Sequence, residues 1–345
     1  MRILTKNREA MKKEKVFFAR APVRICDIGG WTDTWFYENG AVLNMCVDLY
    51  SYVRIHLRDD QSINIISENL DLNTRIRDYR KIEYDGTLDL LKAAIKCMNI
   101  KTGMDIYVKA DAPPGSGTGT SASVAVSLLA ALSRVSDVFL LPFELAELAH
   151  KLETEELGLE SGVQDQFASD YGGVNFMKID YPSVQISRIP LERKLICELE
   201  SQFILVYLSS RSSSKMHKAV LKNFQNKDHK TLQAFKKLEE CAYQMKKAIF
   251  AANLGKIGRI MTDNWEAQKH LHPLMVNEQI KKIENLAQDE GALGLKCNGA
   301  GGGGSALILA DIGKEYTLKK KLKKNGFELL PIKLNFQGVE TWNII

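Results

Sequence analysis

The sequence predicts a mixed α+β fold built from one large or two medium-sized domains. Its 345 residues are many for a single hydrophobic core, and 45% hydrophobic and 26% charged residues are ordinary for a globular protein. Segments with helical spacing are interspersed with short segments rich in Val, Ile, Leu and Tyr along the whole chain. The strand-like segments are too irregularly spaced for a doubly wound parallel sheet, so we expect an α+β arrangement.

Alternating apolar residues predict the strands, and apolar residues three or four positions apart predict the helices. In the first half, the predicted elements are strands at 16–20 and 41–57, a helix at 89–100, a strand at 104–110, and helices starting at residue 121 and at Pro142. In the second half, they are a short helix and a strand within 161–179, a strand at 201–210, helical segments at 215–252, 257–269 and 278–289, a strand at 306–309, a helix at 316–324 and a strand at 327–334.

Charge and cysteine patterns restrict the possible partners and the compartment. The net charge is only +5, and the lysine-rich run 314–324 places Leu318 and Leu322 four residues apart, which is typical of a helix with one buried stripe. We therefore expect no nucleic-acid partner, and no apolar run approaches a membrane span of ~18 residues. The six cysteines lack any C-x-x-C spacing, which indicates a cytoplasmic protein with reduced thiols. Residues 1–15 are predicted to be a flexible tail, and Met11 is an alternative start.

A glycine-rich stretch directly before a predicted helix suggests an anion site. Glycines let the backbone close around an anion, and a helix N-terminus attracts negative charge. The stretch is neither a Walker A motif nor a good Rossmann fingerprint. Thr120 or Ser121 is expected to cap the helix, and a hydroxyl there could also reach a phosphate-bound Mg²⁺. The alternative is a purely structural loop. The candidate residues are Pro114, Gly115, Ser116, Gly117, Thr118, Gly119, Thr120 and Ser121.

A second glycine-rich loop, "NGAGGGGS", follows residue 297. So many glycines are costly in backbone entropy, so such a run usually serves positive φ angles or a close backbone approach. If the loop has no binding role, it is a tight connection between a helix and a strand.

Three stretches, "APVRICDIGGWTDT", "PPGSGTGTSAS" and "KCNGAGGGG", resemble the GHMP kinase superfamily, and the likeness extends over about 16–338. Within it, the chain is most similar to the D-glycero-D-manno-heptose 7-phosphate kinases. The resemblance implies a ribosomal protein S5-like N-terminal domain at 16–190 and a ferredoxin-like C-terminal domain at 191–345. It also implies ATP on the first glycine loop, Mg²⁺ as a cofactor, a sugar or sugar-phosphate substrate, and a monomer or homodimer.

The resemblance implies a catalytic pair and a metal site. Asp165 matches the family's acidic residue beside the sugar hydroxyl, and Arg24 matches its partner arginine. A carboxylate could accept the hydroxyl proton, while a guanidinium would keep it ionised. The structural alternatives are a helix N-cap for Asp165 and a surface ion pair for Arg24. Glu153 matches the metal-binding glutamate, which would act with Ser121, although it could equally be a solvated helix residue.

The remaining implied residues concern the acceptor. Asp33 matches a sugar-binding acid and could otherwise be a turn residue, while Gly30 fits the heptose type. Trp31 departs from that type and resembles the fucokinase-like variant "GGWSD"; its indole could stack on a sugar or simply pack the loop. The Gly30-Trp31 pair replaces the Glu-His of galactokinases, which argues against galactose.

A phosphate on the acceptor would need a second anion site. Arg211 matches the heptose-kinase pattern "SRS", and Lys215 follows it at a predicted helix start. A Ser-rich turn with solvated charges is the alternative. Gly301 and Gly302 are placed on the substrate side of the second loop.

The sequence therefore predicts an ATP-dependent kinase for the anomeric hydroxyl of a sugar or sugar phosphate, with D-glycero-D-manno-heptose 7-phosphate as the favoured acceptor. The rival substrates are non-phosphorylated sugars, as in fucokinases or galactokinases. A catalytically silent sugar sensor is disfavoured, because Asp165, Glu153 and Arg24 are all present.

Overall fold

A computed structural model describes residues 15–210 and 213–344 of the chain. The strands of these residues form an eight-stranded and a four-stranded sheet. In chain order they are β1 (Val16–Ile28), β2 (Asn39–Leu57), β3 (Ile63–Ser67), β4 (Leu72–Ile76), β5 (Met104–Ala110), β6 (Val174–Asp180), β7 (Ser183–Arg188), β8 (Phe203–Ser209), β9 (Ala292–Cys297), β10 (Gly304–Ala310), β11 (Glu328–Leu330) and β12 (Glu340–Ile344).

The helices of the described residues lie between these strands. They are α1 (Asp89–Cys97), α2 (Thr120–Val135), α3 (Pro142–Lys151), α4 (Gln164–Tyr171), α5 (Arg193–Gln202), α6 (Ser213–Gln225), α7 (His229–Phe250), α8 (Leu254–Lys269), α9 (Glu278–Asp289) and α10 (Glu315–Lys324). A π-helical turn, Leu152–Glu156, continues α3. In α10, Leu318 and Leu322 are buried and most of the lysines are exposed, which confirms the predicted stripe. No helix in the described part of the chain is long and apolar enough to cross a bilayer.

The larger sheet has the order β12-β1-β2-β5-β3-β4, with β6 and β7 added beside β2. Besides β1, the long strand β2 has two neighbours: its first half pairs with β6 and its second half with β5. Both pairings are antiparallel, whereas β3 runs parallel to β5. At the centre, β1 pairs with β2 with a register shift between Ile25 and Ile28. This irregularity lies where β1 enters the loop that carries the candidate acceptor residues.

The smaller sheet has the order β11-β8-β10-β9, and its neighbouring strands are antiparallel. The elements of this half follow one another in the order β8, helices α6 to α9, β9, β10, α10 and β11. That sequence of elements in this spatial order is the ferredoxin-like arrangement expected for the C-terminal half. The glycine loop between β9 and β10 lies at one end of this sheet.

A hydrophobic cluster joins the two sheets. Apolar residues from β1 and β2, including Ile25 and Leu43, pack with Met245 of α7 and with Leu205 and Leu307 of the smaller sheet. A second cluster fills the space between the larger sheet and helices α1 to α3. The shared cluster holds the end of β1 against the C-terminal half, where the candidate site lies.

Several elements differ from the sequence prediction. The helical segment expected at 215–252 is two helices, because Lys227 adopts a left-handed φ of 54° and the Asp228 side chain caps α7 through Thr231 N. The strands β3, β4, β7, β9 and β12 and the helix α5 were not predicted. These strands are only five or six residues long, which is too short for a clear alternation of apolar and polar residues. The strand expected at 327–334 is only Glu328–Leu330. The C-terminal residues return to the larger sheet, where β12 pairs with β1.

Candidate active site

A cavity of about 410 Å³ lies between the two halves of the protein. Its volume is within the range of small-ligand sites. Four parts of the chain form its wall: the first glycine loop with the start of α2, the end of β1 with the following loop, the segment 158–165, and the second glycine loop together with α6.

The first glycine loop has alternating left-handed residues. Gly115, Gly117 and Gly119 have φ angles of 72°, 75° and 74°, which residues with a Cβ rarely adopt. Such alternation turns successive backbone N–H groups toward one side, as in anion-binding nests. Helix α2 begins at Thr120 with Gly119 as its N-cap, so the expected cap by Thr120 or Ser121 is wrong. Its N-terminus is therefore free of a side-chain cap at the cavity wall.

Two buried hydroxyl residues of this loop contact each other. Ser116 and Thr118 are fully buried, and their hydroxyl oxygens lie 2.7 Å apart. Thr120 Oγ1 lies 3.2 Å from Thr118 Oγ1. These contacts between hydroxyl groups stabilise the conformation of the loop. The loop can thus offer mainly backbone groups and Ser121 to a ligand.

Arg24 and Asp165 form a bidentate ion pair at the cavity. Arg24 Nε donates to Asp165 Oδ1 at 2.8 Å, and Nη2 donates to Oδ2 at 3.0 Å. Nη1 donates to the carbonyl of Gly117, and the backbone of Arg24 donates to Thr118 O at 3.0 Å. Burial opposes the charge of Arg24, but the ion pairs with Asp165 and Asp27 outweigh it and raise its pKa. Arg24 is therefore charged, and its contacts tie the pair to the glycine loop.

The first turn of α4 orders the other acidic residues. The backbone N–H of Gln164 donates to Asp33 Oδ2 at 3.1 Å, while Gln166 Nε2 donates to Glu153 Oε2 at 2.8 Å. Asp165 lies between them in the sequence. Helix α4 begins at Gln164 with Val163 as N-cap, so the alternative of Asp165 as a cap is wrong. One helical turn thus holds three candidate site residues in a fixed relation.

Asp33 is a buried carboxylate with two backbone donors. Its Oδ1 accepts from Trp31 N at 3.1 Å. Burial, followed by the negative charge of Asp165, raises the pKa of Asp33 to about 6, against the lowering effect of its hydrogen bonds and Arg24. A Cβ on Gly162 would lie 2.1 Å from Asp33 Oδ2, so only glycine fits there. With this pKa, Asp33 is predominantly ionised at pH 7, and it lines the cavity.

Glu153 and Ser121 lie together at the cavity wall. Ser121 Oγ donates to Glu153 Oε1 at 2.8 Å, and Ser161 Oγ donates to Oε2 at 2.7 Å. Glu153 is only 5% exposed, and burial raises its pKa in spite of these donors. The alternative of a solvated helix residue is therefore wrong for Glu153.

Trp31 and α6 form a further part of the cavity wall. Trp31 has a φ of 81°, is 5% exposed, and packs against His217 with ring centroids 4.6 Å apart. Ser214, His217 and Lys218 line the cavity from one face of α6. Lys215 does not line it. Arg211 lies outside the described residues.

Five other candidate residues do not line the cavity either: Gly30, Pro114, Thr118, Gly301 and Gly302. Gly30 packs over Asp27, whose Oδ2 would be 2.9 Å from an added Cβ. Gly301 and Gly302 face Met275 and the backbone of Leu274. In the second loop it is Gly299 and Ala300 that reach the cavity.

Sequence reasoning missed Asp27, Lys218 and Gly299 as cavity residues. For Lys218 a signal existed, because Ser214, His217 and Lys218 are spaced i, i+3 and i+4 and so share a helical face. For Asp27 and Gly299 no local signal existed, because they meet across 272 positions of the chain.

Comparison with known proteins identifies the family. The models for the N-terminal and C-terminal domains of GHMP kinases match residues 87–173 and 245–327. A D-glycero-alpha-D-manno-heptose 7-phosphate kinase from Campylobacter jejuni is 31% identical over 343 residues, covering 96% of this chain and 100% of that protein. The chain belongs to the GHMP kinase family. The family and the fold class expected from the sequence are thereby confirmed.

Two further relatives of this GHMP kinase are informative. A bifunctional fucokinase/GDP-fucose pyrophosphorylase from Arabidopsis thaliana is 30% identical over 328 residues, which is 88% of this chain and 31% of that protein. A crystal structure of a putative sugar kinase from Campylobacter jejuni superposes with a TM-score of 0.77 at 27% identity, covering 97% of this chain and 100% of that chain. This GHMP kinase is an ATP-dependent small-molecule kinase related to sugar kinases.

Proposed function

We propose that the protein transfers the γ-phosphoryl group of ATP to the anomeric hydroxyl of D-glycero-D-manno-heptose 7-phosphate, giving the 1,7-bisphosphate. The observation that carries the proposal is the Arg24–Asp165 pair, whose carboxylate faces a cavity beside the glycine loop. The choice of acceptor is supported by the likeness to a heptose 7-phosphate kinase. It is also supported by the cationic residue Lys218, which lines the cavity near Trp31 on α6.

In this proposal Asp165 accepts the proton of the anomeric hydroxyl. The sugar oxygen forms a bond to the γ-phosphorus, and the bond from that phosphorus to the bridging oxygen of ADP breaks. Arg24 occupies both oxygens of Asp165 from one side and so fixes the direction of its remaining lone pairs. Asp33, ionised at neutral pH, would accept hydrogen bonds from other sugar hydroxyls.

ATP phosphates would lie on the loop from Gly115 to Ser121, where the backbone turns through alternating left-handed glycines. Glu153 and Ser121 fit a Mg²⁺ ion, since a carboxylate and a hydroxyl are hard oxygen donors that already touch. No group of three or more acidic, His or Cys side chains among the described residues could hold a metal ion, so phosphate and water oxygens would complete its shell. When bound, Mg²⁺ neutralises phosphate charge.

Lys218 and Ser214, at the first turns of α6, would bind the phosphate of the acceptor. This replaces the sequence-based choice of Lys215, which lies off the cavity. Arg211, outside the described residues, stays a prediction.

The alternative function is phosphorylation of a sugar without a phosphate. Trp31 favours it, because an indole at the cavity wall could stack on a sugar face, and the fucokinase relative supports such a substrate. A phosphate-bearing acceptor would make Lys218 essential, whereas a free sugar would not.

A coupled ADP-release assay with matched acceptors tests the proposal. Heptose 7-phosphate should be turned over with a much lower KM than the same heptose without phosphate, or than fucose. Lys218→Met should raise the KM for heptose 7-phosphate roughly tenfold or more and leave the KM for ATP unchanged. Lys215→Met, on the same helix but off the cavity, is the matched control and should behave like the wild type. Faster turnover of the free sugars would favour the alternative.

A further inference from the structure

A buried ion pair crosses between the two halves of the protein directly behind the cavity. Lys296 of β9 is fully buried, and its Nζ lies 2.9 Å from Oδ1 of Asp27 at the end of β1. Asp27 itself is 2% exposed. Lys296 Nζ also donates to the carbonyl of Cys297 at 2.8 Å. Burying two charges costs considerable solvation, so such a pair is weak evidence of stabilisation by itself.

The second oxygen of Asp27 binds the backbone of the second glycine loop. Gly299 N donates to Asp27 Oδ2 at 3.0 Å, and Gln268 Nε2 donates to Gly299 O at 2.8 Å. The peptide groups of Gly299 are therefore held from both sides. Since Gly299 and Ala300 line the cavity, Asp27 sets the position of this wall relative to the first glycine loop.

Asp27 also faces the Arg24–Asp165 pair. Its Oδ2 lies 3.9 Å from Arg24 Nη2, close enough to attract the guanidinium but too far for a hydrogen bond. Without Lys296, Arg24 would be the one cation within 4 Å of Asp27 among the described residues, and Asp27 would compete with Asp165 for it. Lys296 thus balances the charge of Asp27 and leaves the hydrogen bonds of Arg24 directed at Asp165.

We infer that Asp27 and Lys296 are positioning residues for phosphoryl transfer. Together they fix the Gly299–Ala300 wall and the direction of Arg24, while neither has to contact the reacting atoms. The inference rests on the proposed catalytic role of Arg24 and Asp165. The Asp27–Lys296 pair would therefore affect kcat as well as the stability of the fold.

The first experiment measures kcat, both KM values and Tm for Asp27→Asn, Lys296→Met and the double variant. Each single variant leaves one buried charge without its partner, so Tm should fall; the double variant removes both charges and should recover much of it. We expect kcat to drop roughly 10–100-fold in all three, with KM for ATP changed by less than about threefold, because a small misplacement of reacting groups mainly slows the chemical step. The double variant keeps the test decisive if a single variant does not fold.

Lys92→Met is the matched control. Lys92 of α1 is another buried lysine in an ion pair, 2.6 Å from Asp85, but it lies outside the cavity. It should lose Tm without a comparable loss of kcat. Recovery of kcat together with Tm in the double variant, or an equal loss in Lys92→Met, would overturn the inference and leave the pair a structural one.

Amide hydrogen exchange gives a readout that needs no acceptor. In the double variant, exchange across 297–304 should accelerate, since the charge-assisted bond from Gly299 N is replaced by a weaker neutral one. In Lys92→Met this segment should exchange as in the wild type. Unchanged exchange at 297–304 in the double variant would contradict the inference even if the wild type phosphorylated no sugar phosphate. A wild type without turnover would instead count against the proposed function.

Discussion

At the scale of single residues, the Arg24–Asp165 pair carries the chemistry in this account. Asp165→Asn keeps the shape of the side chain but removes the charge and the proton acceptor. Because general-base assistance contributes ~10²–10⁴-fold, kcat should fall by about that factor while ATP and sugar binding stay nearly normal. Rapid-mixing turnover together with calorimetric titration of ATP measures both. A near wild-type kcat would show that the carboxylate is only structural.

Arg24→Lys tests the geometry of the same pair. Lysine retains a positive charge but cannot make the two parallel bonds that Nε and Nη2 make to Asp165. It should therefore slow turnover less than Arg24→Ala does. Combined with Asp165→Asn, the loss should be less than additive, since the two side chains act as a unit. Strict additivity in the double-variant cycle would argue against a coupled pair.

Burial of Asp170, near the end of α4, affects the stability of the protein and its dependence on pH. It is 4% exposed, neither carboxylate oxygen has a hydrogen-bond partner among the described residues, and burial raises its pKa to about 8. In the unfolded chain its pKa is near 3.8. Between these values the folded protein holds a proton that the unfolded chain has released, so Asp170 lowers the free energy of unfolding as pH rises from about 4 to 8.

Asp170→Asn should therefore stabilise the protein at alkaline pH. Its Tm should exceed that of the wild type by about 5 °C at pH 8.5, and the gap should shrink toward pH 5. Asp180→Asn, which changes an exposed carboxyl group, is the control and should show no such pH-dependent gap. Calorimetric scans at several pH values measure the difference. A gap that is constant with pH would mean that Asp170 is ionised in the folded protein.

At the scale of elements, the first glycine loop depends on left-handed backbone and on space beside α4. Gly119 has a φ of 74°, and an added Cβ would lie 3.1 Å from Asp165 Oδ2. Gly119→Ala combines a backbone cost of roughly 1–2 kcal/mol with displacement of the Asp165 carboxylate. We expect weaker ATP binding, by about tenfold, and a further loss in kcat.

Gly313→Ala is the control for the backbone cost alone. Gly313 has a φ of 78° with nothing within 4 Å of an added Cβ, far along the chain from the loop. It should lower Tm but leave ATP affinity and kcat unchanged. If Gly119→Ala behaves in the same way, the loop does not hold the nucleotide.

The sequence predicted this loop well because its signal is local. Three glycines at alternate positions before an apolar helix indicate positive φ angles and a helix N-terminus, and both are observed. The hydroxyl cap was wrongly predicted, since a left-handed Gly119 already ends the loop. The sequence analysis chose Lys215, whereas Lys218 of α6 lines the cavity. The helix start at Ser213 could not be located within a serine-rich run.

At the scale of the whole molecule, the cavity exists because the end of β1 is attached to the C-terminal half. Besides Asp27, Cys26 N donates to Asn298 Oδ1 at 3.0 Å and Gly29 N donates to Asn264 Oδ1 at 2.8 Å. These contacts join residues more than 230 positions apart, so spacing along the sequence carries no sign of them. The resemblance to a family supplied the two-domain fold; pairing across the halves required the structure.

The most direct test of the central claim is the identity of the product formed from heptose 7-phosphate and Mg-ATP. Phosphorus NMR of the reaction should show ADP together with a second sugar phosphate whose signal is split by the anomeric proton. In Asp165→Asn the same signal should appear far more slowly. Formation of ADP without that new signal, or a new phosphate at a hydroxyl other than the anomeric one, would contradict the account.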